Sequence, residues 1–246
     1  MAQGPNKPSK SQEMSTAIKQ RLRFAKRGEL RLVSHHDLMR CLERMVRRAR
    51  LPLAMSQGFT PRPRMSFALA LGLGIEGHDE VVDIELCQPV ESAELLRRLA
   101  ETSPAGLEWL EARALPGSAP APRPVAVEYC ICVPQERRAA AFAAVKSLLA
   151  SKSCFVTRRR ADRGSEHTYD LRAYVCDAAI SEAGVLRAAL IIRPEGSARP
   201  EELLECLGLR DLLDRGAVLM RTHVELDCDR NRIESEKRPE RTAGSS

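Results

Sequence analysis

The chain has 246 residues, 43% apolar and 29% charged, a composition that fits one or two folded cores and excludes a largely disordered polymer. No apolar run approaches the roughly 18 to 20 residues of a membrane-spanning helix. The polar start, MAQGPNKPSKSQEMST, lacks the apolar core of a signal peptide, so a cytoplasmic protein without membrane contact is expected. Net charge is +6, from 39 Lys and Arg against 33 Asp and Glu.

In chain order, Ile18 to Lys26 alternates apolar and charged residues at period two, which predicts a half-buried strand. Ser34, with Asp37 three residues on, opens a helix: the hydroxyl accepts a free amide proton and the carboxylate answers the helix's positive end. Leu38, Cys41, Leu42, Met45, Val46 and Ala49 then form one apolar stripe, with Arg40, Arg44, Arg47 and Arg48 on the other side. Leu51-Pro52 ends the helix, because a residue before proline avoids helical angles. A short strand near Leu53 to Met55 follows. A strand pair at Met65 to Leu71 and Val81 to Leu86, a helix at Glu91 to Ala100 and a strand at Leu107 to Ala114 complete a β-α-β-β-α-β order, that of the ferredoxin-like fold.

Leu115 to Pro124 holds four prolines and a glycine, which cannot continue helix or sheet and reads as a linker. Beyond it, strands are expected at Val125 to Val133, Cys154 to Arg160, Thr168 to Val175, Leu186 to Arg193 and Ala217 to Leu226. Helices are expected at Gln135 to Ala150 and Pro200 to Leu207. The fold class predicted is α+β, with two tandem ferredoxin-like domains at 17–115 and 125–230, a linker at 116–124 and disordered tails at 1–16 and 231–246.

Eight cysteines are scattered without a C-x-x-C or a Cys/His pairing at zinc spacing, so free thiols, no metal site and no cofactor are expected. Cys130 and Cys132, two apart in a strand, are expected to pack on one face of the core. Without C-x-x-x-C-x-x-C, the chain lacks the grouped thiolates that a radical-SAM enzyme uses for its iron–sulfur cluster. Gly72, Gly74 and Gly77 fit a G-x-G-x-x-G string, but no βαβ unit follows, and a dinucleotide site is rejected. His78, His167 and His223 read as incidental.

Charge is concentrated. Between Asp37 and Arg64, seven arginines face two carboxylates, and Arg158, Arg159, Arg160 and Arg163 form a second cluster near Gly164 in an expected hairpin tip. Either cluster could be only a solvated face. Arginine outnumbers lysine in both, however, and its planar fork suits bidentate phosphate contact.

The segment Met55-Ser-Gln-Gly-Phe-Thr-Pro-Arg-Pro-Arg-Met-Ser-Phe67 joins a glycine, two prolines, two arginines and an aromatic, a set that holds one shape at a surface. Three further motifs accompany it: the Ser34-His35-His36-Asp37-Leu38-Met39-Arg40 helix start, the Arg44 to Leu51 helix end and the Leu69-Ala-Leu-Gly-Leu-Gly74 turn. Together these resemble the radical-SAM-linked family (domain of unknown function 2344) over about residues 19 to 115. The resemblance implies association with a radical-SAM protein and no established activity.

Three functions are open from the residues. The first is an accessory RNA-binding module for tRNA or rRNA, not itself catalytic. Its contacts would be His35, Arg40, Arg44, Arg47, Ser56, Gln57, Arg62, Arg64 and Ser66, with Phe59 stacked on a base. It requires the cationic side of the helix and the proline-arginine loop to lie together. The second is an enzyme acting on a phosphate or nucleotide substrate through His35, His36 and Asp37. Against that reading, one histidine would pack on the sheet, the other would be solvated and Asp37 would cap. The third is an adaptor docking onto a radical-SAM enzyme. As a purely structural loop, residues 55–67 would instead cap a core with Phe59 and pair their arginines with Glu76, Asp79 or Glu80.

Overall fold

The computed structural model describes residues 18–159 and 166–229. In the first half, β1 (Ile18–Lys26), α1 (His35–Arg48), β2 (Met65–Phe67), β3 (Glu76–Leu86), α2 (Ser92–Thr102) and β4 (Leu107–Leu115) follow in order. β1 lies between β3 and β4, and β2 runs along the far edge of β3, all antiparallel. Leu22 and Phe24 of β1 and Val82, Ile84 and Leu86 of β3 pack under Leu38, Leu42, Met45 and Val46 of α1 and Leu95 and Leu99 of α2. Period-two alternation sends Arg21 and Arg23 to the opposite face of β1.

The second half is β5 (Pro124–Cys132), α3 (Arg138–Ala150), a hairpin of β6 (Phe155–Arg159) and β7 (Glu166–Asp170), then β8 (Val175–Ile180), β9 (Val185–Arg193), β10 (Gly196–Ser197), α4 (Pro200–Cys206), α5 (Asp211–Asp214) and β11 (Met220–Leu226). β5 is flanked by β9 and β11, β8 pairs with β9, and all these pairs are antiparallel. A second core forms around Val127, Ile131, Val145, Leu190, Leu203 and Val224.

The halves share one sheet. β11 pairs in parallel with β3 at Met220↔Glu76 and Arg221↔Gly77, so a single nine-stranded, mostly antiparallel sheet crosses the molecule. Leu71, Ile75 and Val81 belong to the core of the second half although they lie in the first. The α+β class holds in this coarse form. The expected strand from Met65 to Leu71 stops at Phe67, because Leu69 and Leu71 turn away to pack against that second core. The expected strand from Thr168 to Val175 is broken: Asp170 Oδ1 accepts from Arg172 N at 3.0 Å and starts a 3-10 turn over Leu171–Tyr174. β8 beyond it was not anticipated.

Residues 116–123 do not hang free. Lys19 Nζ donates to Ala119 O, Arg21 Nη2 donates to Pro120 O at 3.3 Å, and Asp227 N donates to Arg123 O at 3.0 Å, so the proline-rich strap lies along the sheet. The tails expected at 1–16 and 231–246 lie outside the described residues. Among those described, no helix is long and apolar enough to cross a membrane, and no group of three His, Cys, Asp or Glu side chains could hold a metal ion.

All eight cysteines are unbridged. Cys130 is buried but Cys132, at the end of β5, is exposed, which corrects the expectation that both pack in the core. Cys154 Sγ and Cys206 Sγ stand 2.9 Å apart, a pairing that a sequence separation of 52 residues conceals.

Candidate nucleic-acid interface

α1 begins as its residues dictate. Ser34 Oγ accepts from Asp37 N at 3.2 Å and donates to Asp37 Oδ2 at 2.7 Å, so Asp37 serves the cap. His35 sits edge-on to Phe67 with ring centroids 5.1 Å apart, and burial with the neighbouring His36 pulls its pKa below the ordinary histidine value. His36 is exposed. No hydrogen bond joins the two imidazoles to Asp37, and their ring centroids are 6.2 Å apart.

The helix ends before Leu51-Pro52. Leu51 N donates to Val46 O at 3.5 Å and Arg50 N to Arg47 O at 3.1 Å, the double closure of a Schellman cap. Its left-handed position holds Arg50 at φ 52°, where glycine is usual. Arg50 is exposed, stands beside the arginine cluster and was not among the expected contact residues. The signal was present, because a cap in front of Leu51-Pro52 has to fall on that arginine.

The loop after it is closed by its own backbone. Ser56 N donates to Arg62 O at 2.8 Å, and Ser56 Oγ accepts from Arg62 N at 3.0 Å. At the base, Arg64 N donates to Ala54 O at 2.9 Å, Ala54 N to Glu85 O at 2.9 Å, and Glu85 N to Arg64 O at 3.1 Å. Gly58 takes φ 140° at the tip and places Phe59 wholly in solvent. Phe59 therefore caps no core, against the structural alternative weighed from the sequence. Gln57 and Arg62 are exposed beside it.

Helix and loop touch: Arg47 Nη2 donates to Pro61 O at 3.3 Å. Arg64 meets Glu85 at 3.2 Å rather than Glu76, Asp79 or Glu80, and Arg40 meets Asp37 at 3.6 Å in an exposed pair worth little. Arg48 Nη2 donates to Thr102 O at 2.9 Å and ties α1 to α2. Among the described residues, Arg44, Arg47, Arg50 and Arg62 have no carboxylate partner.

The second arginine cluster behaves differently. Arg158 Nε and Nη2 reach both Glu202 oxygens at 2.7 and 2.6 Å, and Tyr169 donates to the same carboxylate at 2.6 Å. Arg158 thus holds the β6–β7 hairpin to α4 and is not open to phosphate. Arg160, Arg163 and Gly164 lie outside the described residues.

The family profile described as an uncharacterized protein conserved in bacteria (DUF2344) matches residues 19–200. The chain belongs to this family. The DUF2344 match runs well past residue 115, where the recognisable motifs end, so the family's extent takes in most of the second half as well. No curated protein matches the sequence. Among solved structures, a chain from the crystal structure of a Cbf5-Nop10-Gar1 complex is similar at 13% identity and a TM-score of 0.39, with 85% of this chain covered. The similarity spans 49% of that chain, and at this TM-score it carries no argument.

Proposed function

We propose that this DUF2344 member is an accessory RNA-binding module, without catalysis of its own, that holds a tRNA or rRNA segment on the surface formed by α1 and residues 54–64. The observation that carries the reading is the contact of Arg47 with Pro61, which joins the arginine-bearing helix α1 to the loop that carries Arg62 and the exposed Phe59 ring. Guanidiniums without carboxylate partners suit phosphates, and an unburied aromatic on a braced loop suits stacking with an unpaired base. Ser56 and Arg64 support the loop, while Gln57 and Arg40 are the remaining polar contacts. Association with a radical-SAM protein is part of this proposal only as what the resemblance of the sequence motifs implies. The two β-α-β-β-α-β halves are best read as tandem ferredoxin-like units that share a sheet edge, with the β6–β7 hairpin as an insertion.

The acid–base alternative has less support, because His35 packs on Phe67 and Asp37 is engaged with Ser34. Fluorescence anisotropy with a transfer RNA and a short single-stranded RNA, measured from low to moderate salt, tests the proposal. Affinity should fall steeply with salt, and Arg44→Ala/Arg62→Ala should weaken binding and flatten the slope by about two. Salt-independent binding, or a double variant that binds as the parent does, overturns it.

A further inference from the structure

A cavity of about 1150 Å³ lies on the face of the sheet turned away from α1 and α2. Its floor is β1, β3 and β11, and its walls are β4, the proline-rich strap and the turn after β11. That volume is ample for a small molecule. Leu110, Leu115 and Pro120 supply an apolar side.

The floor is a fixed charge lattice. Arg21 is held two-point by Asp83, at 2.8 and 3.0 Å. Arg23 bridges Asp79 at 2.7 Å and Asp229 at 2.9 Å. Two guanidiniums here meet three carboxylates, so both arginines are spent and the cluster carries one negative charge in excess, beside His223. Arg113 is different: it stands in direct register with Arg21 across the β1–β4 ladder, and no carboxylate pairs with it among the described residues. Asp83 offsets the charge of Arg21, so Arg113 is the member of this cross-strand pair left without a counter-charge. Arg123, on the anchored strap, also lines the cavity and has no ion-pair partner among the described residues.

His223 completes the set. Its Nδ1 lies 2.5 Å from Asp79 Oδ2, and because a carboxylate only accepts, Nδ1 carries the proton and Nε2 is left for a ligand. The side chain is 40% exposed and lines the cavity. The hydrogen bond to Asp79 raises the imidazole pKa despite partial burial, which favours a second proton, on Nε2, where an anion would accept it.

We propose that this cavity is a second binding site, for a small molecule carrying a phosphate or carboxylate on an apolar body, with Arg113, Arg123 and His223 Nε2 as its anion contacts. Glu111 and Asp227 also line the cavity and have no ion-pair partner among the described residues, so a bare polyanion is disfavoured. The ligand class is narrowed to molecules that also carry an amino or hydroxyl donor. This site is separate from the α1 surface and does not depend on it.

The test uses the full chain labelled with ¹⁵N-histidine, with the His223 resonances assigned by their loss in His223→Gln. Adenosine 5′-monophosphate and phenylalanine are titrated separately, one offering a phosphate and the other a carboxylate. At least one should shift the His223 signals saturably, and the stronger identifies the anion. Arg113→Gln/Arg123→Gln should weaken that binding about tenfold or more while the Nδ1 proton signal to Asp79 persists, as loss of charge-assisted contacts requires. If neither compound moves His223, or if the double variant binds as the parent does, the inference is overturned, and the RNA surface on α1 is untouched by that result.

Discussion

Arg221 on β11 grips Glu80 on β3 at two points, Nε to Oε1 at 2.8 Å and Nη2 to Oε2 at 2.5 Å, with both side chains out of water. Arg221 Nη1 also donates to Ala70 O at 3.1 Å. This cluster sits beside the only two parallel pairings described between the halves, Met220↔Glu76 and Arg221↔Gly77. Removing one partner leaves a buried charge uncompensated, so Glu80→Gln should lower unfolding stability by about 3 to 5 kcal/mol in urea titration. A Cβ on Gly77 would stand 2.5 Å from Glu80 Cγ, so Gly77→Ala should weaken the same joint. A Glu80→Gln midpoint equal to that of the parent would show that the pair does not hold the halves together.

Arg50 occupies the left-handed position of the α1 cap at φ 52°. Relief of that strain by Arg50→Gly should stabilise the fold by about 1 kcal/mol, offset in part by the greater freedom of glycine in the unfolded chain. If the arginine is kept there to meet phosphate, the same variant should bind RNA less well. Thermal melting and anisotropy on one sample separate the two effects.

Phe59 is entirely exposed, so Phe59→Ala should leave the melting temperature unchanged. Loss of base stacking should nonetheless cost about 1 to 3 kcal/mol of affinity for single-stranded RNA. A melting shift with unaltered affinity would contradict both halves of the expectation.

The His223–Asp79 pair predicts a definite pH response. Its hydrogen bond raises the histidine pKa above the unfolded value of about 6.5, so the stabilisation is complete below that pH and is lost as pH rises through the folded value. For Asp79, burial opposes ionisation, but the hydrogen bonds from His223 and Arg23 outweigh it and lower the pKa. That contribution is present above the ordinary carboxylate range and is lost as pH falls through the lowered value. Urea midpoints should therefore fall from about pH 6.5 upward in the parent, and His223→Gln should abolish this limb.

Burial, reinforced by the hydrogen bond with Cys154, pushes the Cys206 thiol up to about 12. Thiolate is the reactive form, so iodoacetamide at pH about 8 should modify the exposed Cys87, Cys132, Cys176 and Cys228 well before Cys206. Peptide mass spectrometry over a time course reads the order directly.

The sequence by itself determined the elements whose side chains repeat at a fixed period: β1 with its alternating arginines, and α1 with its apolar stripe, its Ser34 cap and its stop before Leu51-Pro52. It also marked the proline-arginine loop, because proline fixes φ and glycine permits positive φ wherever they stand. Only the tertiary structure decided which arginines are spent. Arg158 and Arg44 look alike in the chain, yet one is held by Glu202, 44 residues away, and the other meets no carboxylate among the described residues. Likewise His223 reads as incidental until β11 docks on β3 and brings Asp79 to its Nδ1 across 144 residues. Period and capping are local, whereas charge pairing and sheet fusion depend on distances that chain order does not encode.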